Sequence, residues 1–186
     1  MGRFYWLLLF IATTMATHAG YVLYYPGYNF DTKVSATLGT PSTNKMMLLA
    51  PAQIARLFPA YATSDIVALC RYDLQAGPIE ISAQLPRGYW TFSIFTVKGR
   101  QVYSLTDTQA GENAFTVDLS QAPDLLAQIK GALDDGGDSE AIGSAGWRVQ
   151  TPETKGLAVV WVPVADPIFK PATMAAVQRS VCRRKN

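Results

Sequence analysis

Five carboxylates fall in or beside strand-like segments of this chain: Asp65, Asp73, Glu80, Asp107 and Asp118. Two of them brought together would make an acid–base pair, one holding a proton to deliver and the other ionised to activate water. Sequence separation does not decide which of them meet. The same residue types at the same places also serve as turn formers and solvated strand-face charges. A second acidic group, Asp134, Asp135, Asp138 and Glu140, offers oxygens to a cation such as calcium. It lacks EF-hand spacing and reads as a flexible acidic turn, so no metal is expected. Cys70 and Cys182 are the only cysteines. In an oxidising compartment an even count invites pairing, the alternative being two separate buried thiols. A bridge between them would close a loop of about 110 residues, worth on the order of 4–5 kcal/mol in the chain-entropy model.

The inventory excludes more than it offers. His18 is the only histidine, and it lies in an apolar N-terminal stretch. The remaining chain therefore holds no histidine base for a serine or cysteine nucleophile and no histidine-rich zinc or iron site. Two cysteines are too few to ligate an iron–sulfur cluster. Neither G-x-G-x-x-G nor G-x-x-x-x-G-K-[ST] occurs, so no phosphate-cradling loop and no cofactor are expected. The net charge is +2, and the basic residues are dispersed except at Arg183, Arg184 and Lys185. That pattern is no nucleic-acid surface, and the terminal cluster reads as a solvated tail.

The elements that must position these groups follow from hydropathy. Residues 66–74, 79–85, 89–95, 102–105, 115–119, 148–151 and 157–164 read as strands. In residues 79–85 apolar and polar side chains alternate, as in a half-buried strand. Residues 157–164 are apolar on both faces and should lie centrally, with Pro163 at the fraying end. Turns are expected at 75–78, 85–88 and 98–99 from their Gly and Pro. Residues 46–58 suggest a short helix ended by Pro59, residues 122–133 a helix, 134–146 a loop, and 172–182 a closing amphipathic helix. The fold expected is mainly β with a few helices, β-sandwich-like and of α+β class, preceded by one N-terminal transmembrane helix. Its domain would occupy residues 46–186.

Residues 4–25 carry no charge if His18 is neutral. As a helix, about 22 residues extend about 33 Å, enough to cross a hydrocarbon core. Phe4, Tyr5 and Trp6 at one end and Tyr21, Tyr24, Tyr25 and Tyr28 at the other form the aromatic belts of two interfaces. Arg3 favours an N-inside, single-pass orientation. A cleaved signal peptide ending near Thr17-His18-Ala19 is the rival reading. Either way the domain is exported. His18 is then a polar group in the membrane segment, at the outer interface or against a partner helix. Residues 26–45 read as a tether.

The segments Cys70-Arg71-Tyr72-Asp73-Leu74, Gly77-Pro78-Ile79, Gly88-Tyr89-Trp90-Thr91-Phe92 and Lys155-Gly156-Leu157, with a late Cys182, resemble a group of small alphaproteobacterial membrane proteins known as domain of unknown function 1254. The resemblance runs from about His18 to Cys182. It implies an inner-membrane anchor, a β-sandwich-like domain in the periplasm and no established reaction. Taken with the missing catalytic inventory, the leading expectation is an accessory or binding protein that engages a protein partner. Arg71, Tyr72, Asp73, Tyr89 and Trp90 are the expected surface, because aromatic and arginine residues dominate binding hot spots. The competing reading of these residues puts Trp90 in the core and makes Arg71 and Asp73 a same-face strand pair. Two further functions stay open: an envelope carbohydrate- or lipid-binding module, and a carboxylate-based hydrolase.

Overall fold

The structure is a computed structural model and describes residues 2–39, 43–123 and 146–185. Two sheets face each other. The larger has the order β1 (Met46–Leu48), β2 (Ile66–Asp73), β8 (Lys155–Val162), β4 (Thr91–Thr96) and β5 (Gln101–Thr106). The smaller has the order β7 (Trp147–Thr151), β6 (Ala114–Gln121), β3 (Ile79–Gln84) and β9 (Val181–Arg184). All pairings are antiparallel except β6 with β7. The chain is therefore mainly β with a few helices, as its hydropathy predicts.

The alternation of side chains decides which face each residue serves. Ala68, Cys70, Tyr72, Trp90, Phe92, Ile94, Ala158 and Val160 of the larger sheet point inward. They meet Ile79, Ile81, Phe115, Val117 and Leu119 of the smaller sheet in the main core. The outer face of the smaller sheet is polar. The outer face of the larger sheet is apolar: Val67, Leu69, Leu157 and Val159 form a second core beneath Val34, Leu49 and Ile54. This is why residues 157–162 are apolar on both faces. β8 sits between β2 and β4, with sheet below it and helix above.

The covering layer comes from α1 (Gly2–Leu38) and α2 (Pro51–Leu57). The tether expected over residues 26–45 is helical as far as Leu38, because Phe30, Val34 and Leu38 recur at helical spacing and find the second core. Gln53 donates from Nε2 to the Thr37 carbonyl at 3.4 Å, tying α2 to the end of α1. Residues 46–58 divide into strand β1 and helix α2, Pro51 taking a first-turn position.

The C-terminal region departs from its expected helix. α4 (Lys170–Gln178) stops early, and Cys182 lies on β9, paired with Ile81 of β3. Four residues, with Cys182 buried and Arg183 exposed, suffice for an edge strand when a partner strand waits. A short helix, α3 (Asp107–Ala110), follows β5. The expected helix at 122–133 and loop at 134–146, with its acidic turn, lie outside the described residues except at their margins.

A disulfide joins Cys70 on β2 to Cys182 on β9, with the Cα atoms 6.4 Å apart. It crosses from one sheet to the other through the main core, so it staples the sandwich rather than a helix to a sheet.

Candidate functional site

Four of the five carboxylates, Asp65, Asp73, Glu80 and Asp118, are held by structural partners, whereas Asp107, at the start of α3, buries its Oδ1 without a hydrogen-bond partner. Glu80 and Asp118 lie directly opposite each other on β3 and β6. Arg183 of β9 meets Glu80 at 2.9 Å, and Lys185 binds Asp118. The result is a cross-strand charge ladder on the solvent face of the smaller sheet, so the basic C-terminal cluster is partly strand and partly ion-paired rather than a free tail. Asp73 pairs with Lys155 at 3.4 Å. Asn44, in the left-handed region at φ 57°, clamps the same residue: it donates to the Asp73 carbonyl and accepts from its N–H. Among the described residues no three His, Cys, Asp or Glu side chains group as a metal site.

Of the five residues expected to form a binding surface, Tyr72 and Trp90 are fully buried. Tyr72 donates its hydroxyl to the Phe95 carbonyl at 3.2 Å and contacts Thr151 Oγ1. Trp90 packs its ring against Phe115 at 5.2 Å. Arg71 and Asp73 share the opposite face of β2 and are half-buried. Tyr89 is 53 % exposed. The five do not form one patch. Arg71 pairs with Leu157, whereas Thr91, next along the chain from Trp90, pairs with Trp161. Four residues of β8 separate the two places, about 13 Å.

A coherent site does form around Tyr89, from residues far apart in the sequence. The Phe58 and Tyr61 rings stack at 5.3 Å, Tyr61 and Trp161 stack at 4.7 Å, and Tyr89 meets Trp161 edge-on at 5.8 Å. Phe58 and Tyr61 follow α2, Trp161 ends β8 and Tyr89 precedes β4, so the ledge depends on three elements of the larger sheet's outer face. Asp65, only 8 % exposed, fixes it. Its Oδ2 accepts from Trp161 Nε1 at 2.9 Å and from the Ala62 N–H at 3.2 Å, and its Oδ1 accepts from the Val164 N–H at 3.3 Å. Burial, and then the neighbouring Tyr89, push the Tyr61 hydroxyl above its usual pKa, so the Tyr61 phenol keeps its proton near neutral pH. Rigid aromatic rings around a half-exposed tyrosine present apolar area with little entropy to lose on binding. The one available sequence signal was the density of aromatics at 58–61, 89–90 and 161.

The other candidate segment is α1. The span 4–25 is exposed except at Gly20, Phe10 and Met15 each by 70 %. The helix is long and apolar enough to cross a membrane. Thr13, Thr14 and Thr17 return their hydroxyls to carbonyls four residues back, leaving no side-chain donor unsatisfied at those positions. His18 is exposed on the same helix.

No protein-family model matches the chain, and no curated protein does. Among solved structures it is similar to the VPA0106 protein from Vibrio parahaemolyticus, with a TM-score of 0.57 and 12 % identity. The match covers 85 % of this chain and 35 % of the other, so this chain spans about a third of the length of that protein. An uncharacterized protein from Burkholderia cenocepacia aligns over 74 % of this chain and 36 % of its own, at 13 % identity and a TM-score of 0.47. The first of these likenesses shows a shared fold.

Proposed function

We propose that this chain is a single-pass, N-inside protein of the bacterial inner membrane whose periplasmic domain binds a protein partner through the ledge of Phe58, Tyr61, Tyr89 and Trp161. The resemblance to domain of unknown function 1254 belongs to the same proposal. One observation carries the reading: Tyr89 stands half-exposed on a ring stack that a buried carboxylate already holds rigid. A side chain needed only for packing would have its hydroxyl and ring covered, as Tyr72 has.

The placement of the ledge supports this. α1 meets the larger sheet at the β4–β5 turn, where a Cβ on Gly27 would lie 3.1 Å from Lys98 Cβ. The ledge lies beyond the other end of β4, roughly 17 Å away along the strand. An anchor at one end and an aromatic surface at the other suit a protein that reaches from a membrane toward a soluble domain.

The test is recovery of partners from native membranes solubilised in mild detergent, with tagged wild-type chain and Tyr89→Ala. A stoichiometric protein recovered with the wild type and reduced about 30-fold by the substitution, equivalent to a hot spot of about 2 kcal/mol, is expected. The melting temperature should not change. Recovery of the lone chain with a bound saccharide would overturn the partner reading and favour a carbohydrate module on the same tyrosine.

A further inference from the structure

The end of the sandwich opposite the ledge holds a groove of about 1110 Å³ between α1 and the β4–β5 hairpin. Tyr21, Tyr24, Tyr25 and Tyr28 line its helix side, and Lys98 and Arg100 line its hairpin side. Asp31 and Glu153 complete it. The hairpin tip is locked against the helix. Gly99 has φ +78°, and a Cβ there would lie 2.9 Å from Phe30 Cγ. Lys98 and Arg100 are exposed, and neither forms an ion pair among the described residues. Glu153 is fixed, accepting from the Val97 N–H at 3.2 Å.

Height along α1 gives the groove its meaning. Gly27, where Lys98 docks, is two residues past Tyr25, the end of the uncharged span. That is about 3 Å of helix rise, the level of lipid phosphates if residues 4–25 cross the hydrocarbon. Asp31 lies four residues further on, about 6 Å farther from the hydrocarbon. Cations at the lower level and a carboxylate at the upper match a headgroup whose phosphate lies below an ammonium. Two positive and two negative side chains balance, so the groove lacks the excess positive charge that would draw an anionic lipid. An ammonium also supplies N–H donors to Asp31, which a trimethylated one does not.

We propose that this groove holds the headgroup of phosphatidylethanolamine, its phosphate against Lys98 and Arg100 and its ammonium against Asp31, with Glu153 beside the hairpin tip balancing the second cation. The assignment rests on the membrane-anchored reading above. It makes the hairpin a second attachment that holds the domain at a fixed tilt on the bilayer, while the ledge faces away.

The test uses the full chain purified from membranes in mild detergent. It is titrated with phosphatidylethanolamine, phosphatidylcholine or phosphatidylglycerol of identical acyl chains, and retained lipid is counted by native mass spectrometry. Wild type should retain phosphatidylethanolamine about tenfold better than either other lipid. The double variant Lys98→Ala/Arg100→Ala should lose that retention at an unchanged melting temperature, whereas Lys98→Arg should keep it. Asp31→Asn should erase the advantage over phosphatidylglycerol. Equal retention of the three lipids, or retention of phosphatidylethanolamine by the double variant, overturns the assignment. Carbonate extraction of the starting membranes separates the two readings. A chain that stays in the pellet yet shows no lipid preference removes the headgroup site alone, whereas a chain released to the supernatant removes the anchor as well.

Discussion

Gly156 lies directly opposite Tyr72 across the β2–β8 ladder, and the Tyr72 hydroxyl and the Phe95 carbonyl fill the space that a side chain at 156 would need. The glycine is there because a buried phenol must reach over β8 to its acceptor on β4. Gly156→Ala should therefore overpack the centre of the larger sheet. The expected loss is about 2–3 kcal/mol, read as a fall in the denaturant midpoint at unchanged slope. Adding Tyr72→Phe should not restore stability, because the Phe95 carbonyl remains in the way. Full rescue by that second change would show that the hydroxyl alone sets the constraint.

The same phenol sets an alkaline limit. Burial raises the Tyr72 pKa above the ordinary value, Glu153 adds to the rise, and the Thr151 hydrogen bond partly offsets it. Burial also raises Tyr103. A raised folded-state pKa means that the folded chain holds its proton while the unfolded chain releases it. Stability is then complete below about pH 10, where both states are protonated, and declines as pH climbs from the unfolded toward the folded value. Denaturant midpoints measured between pH 8 and 11.5 should be level at first and fall above about pH 10. Tyrosinate absorbance from the buried phenols should appear together with unfolding. A stable fold with all phenols ionised would contradict the burial argument.

The disulfide makes a third prediction. It crosses between sheets, and the two cysteines are 112 residues apart in sequence. Replacing both by Ala should destabilise the domain by about 3–5 kcal/mol, most of it through greater freedom of the unfolded chain. Thiol titration of the denatured, unreduced protein should find no free thiol. Two free thiols, with no loss of stability on reduction, would contradict the bridge.

What was legible in the sequence was local. Alternation at 79–85 marks a strand because it faces core on one side and water on the other. The continuous apolar run at 157–162 identified β8 as central because sheet neighbours and a helix layer cover it. The ends of elements were less legible. Val34 extends α1 beyond its apolar span only because a sheet face waits for it, and Cys182 becomes strand only because β3 offers an unpaired edge. Neither fact is a property of its own window. The site was hidden for a related reason. Arg71, Tyr72 and Asp73 are adjacent in sequence, yet strand geometry sends them to opposite faces. Phe58, Tyr61, Tyr89 and Trp161 are far apart in sequence, yet they stack because the strand ends converge.

Asp65 connects the fold to the proposed function, and its removal is the most informative change to the ledge that leaves every ring in place. Asp65→Ala would leave the Trp161 indole N–H and the Ala62 and Val164 amides without their acceptor, in a place largely closed to water. Each such group carries a penalty of roughly 1–3 kcal/mol, reduced where water can enter, so the whole change should come to about 2–4 kcal/mol. Trp161→Phe keeps an aromatic ring on Tyr61 and removes one of the three donors, so it should be milder, about 1–2 kcal/mol. The two variants separate stability from binding. If the ledge works because it is rigid, Asp65→Ala should weaken partner recovery at temperatures well below its lowered melting point, although Tyr89 itself is unaltered. If recovery follows only the folded fraction, Asp65 serves the fold alone and the partner reads Tyr89 without help from the rings behind it.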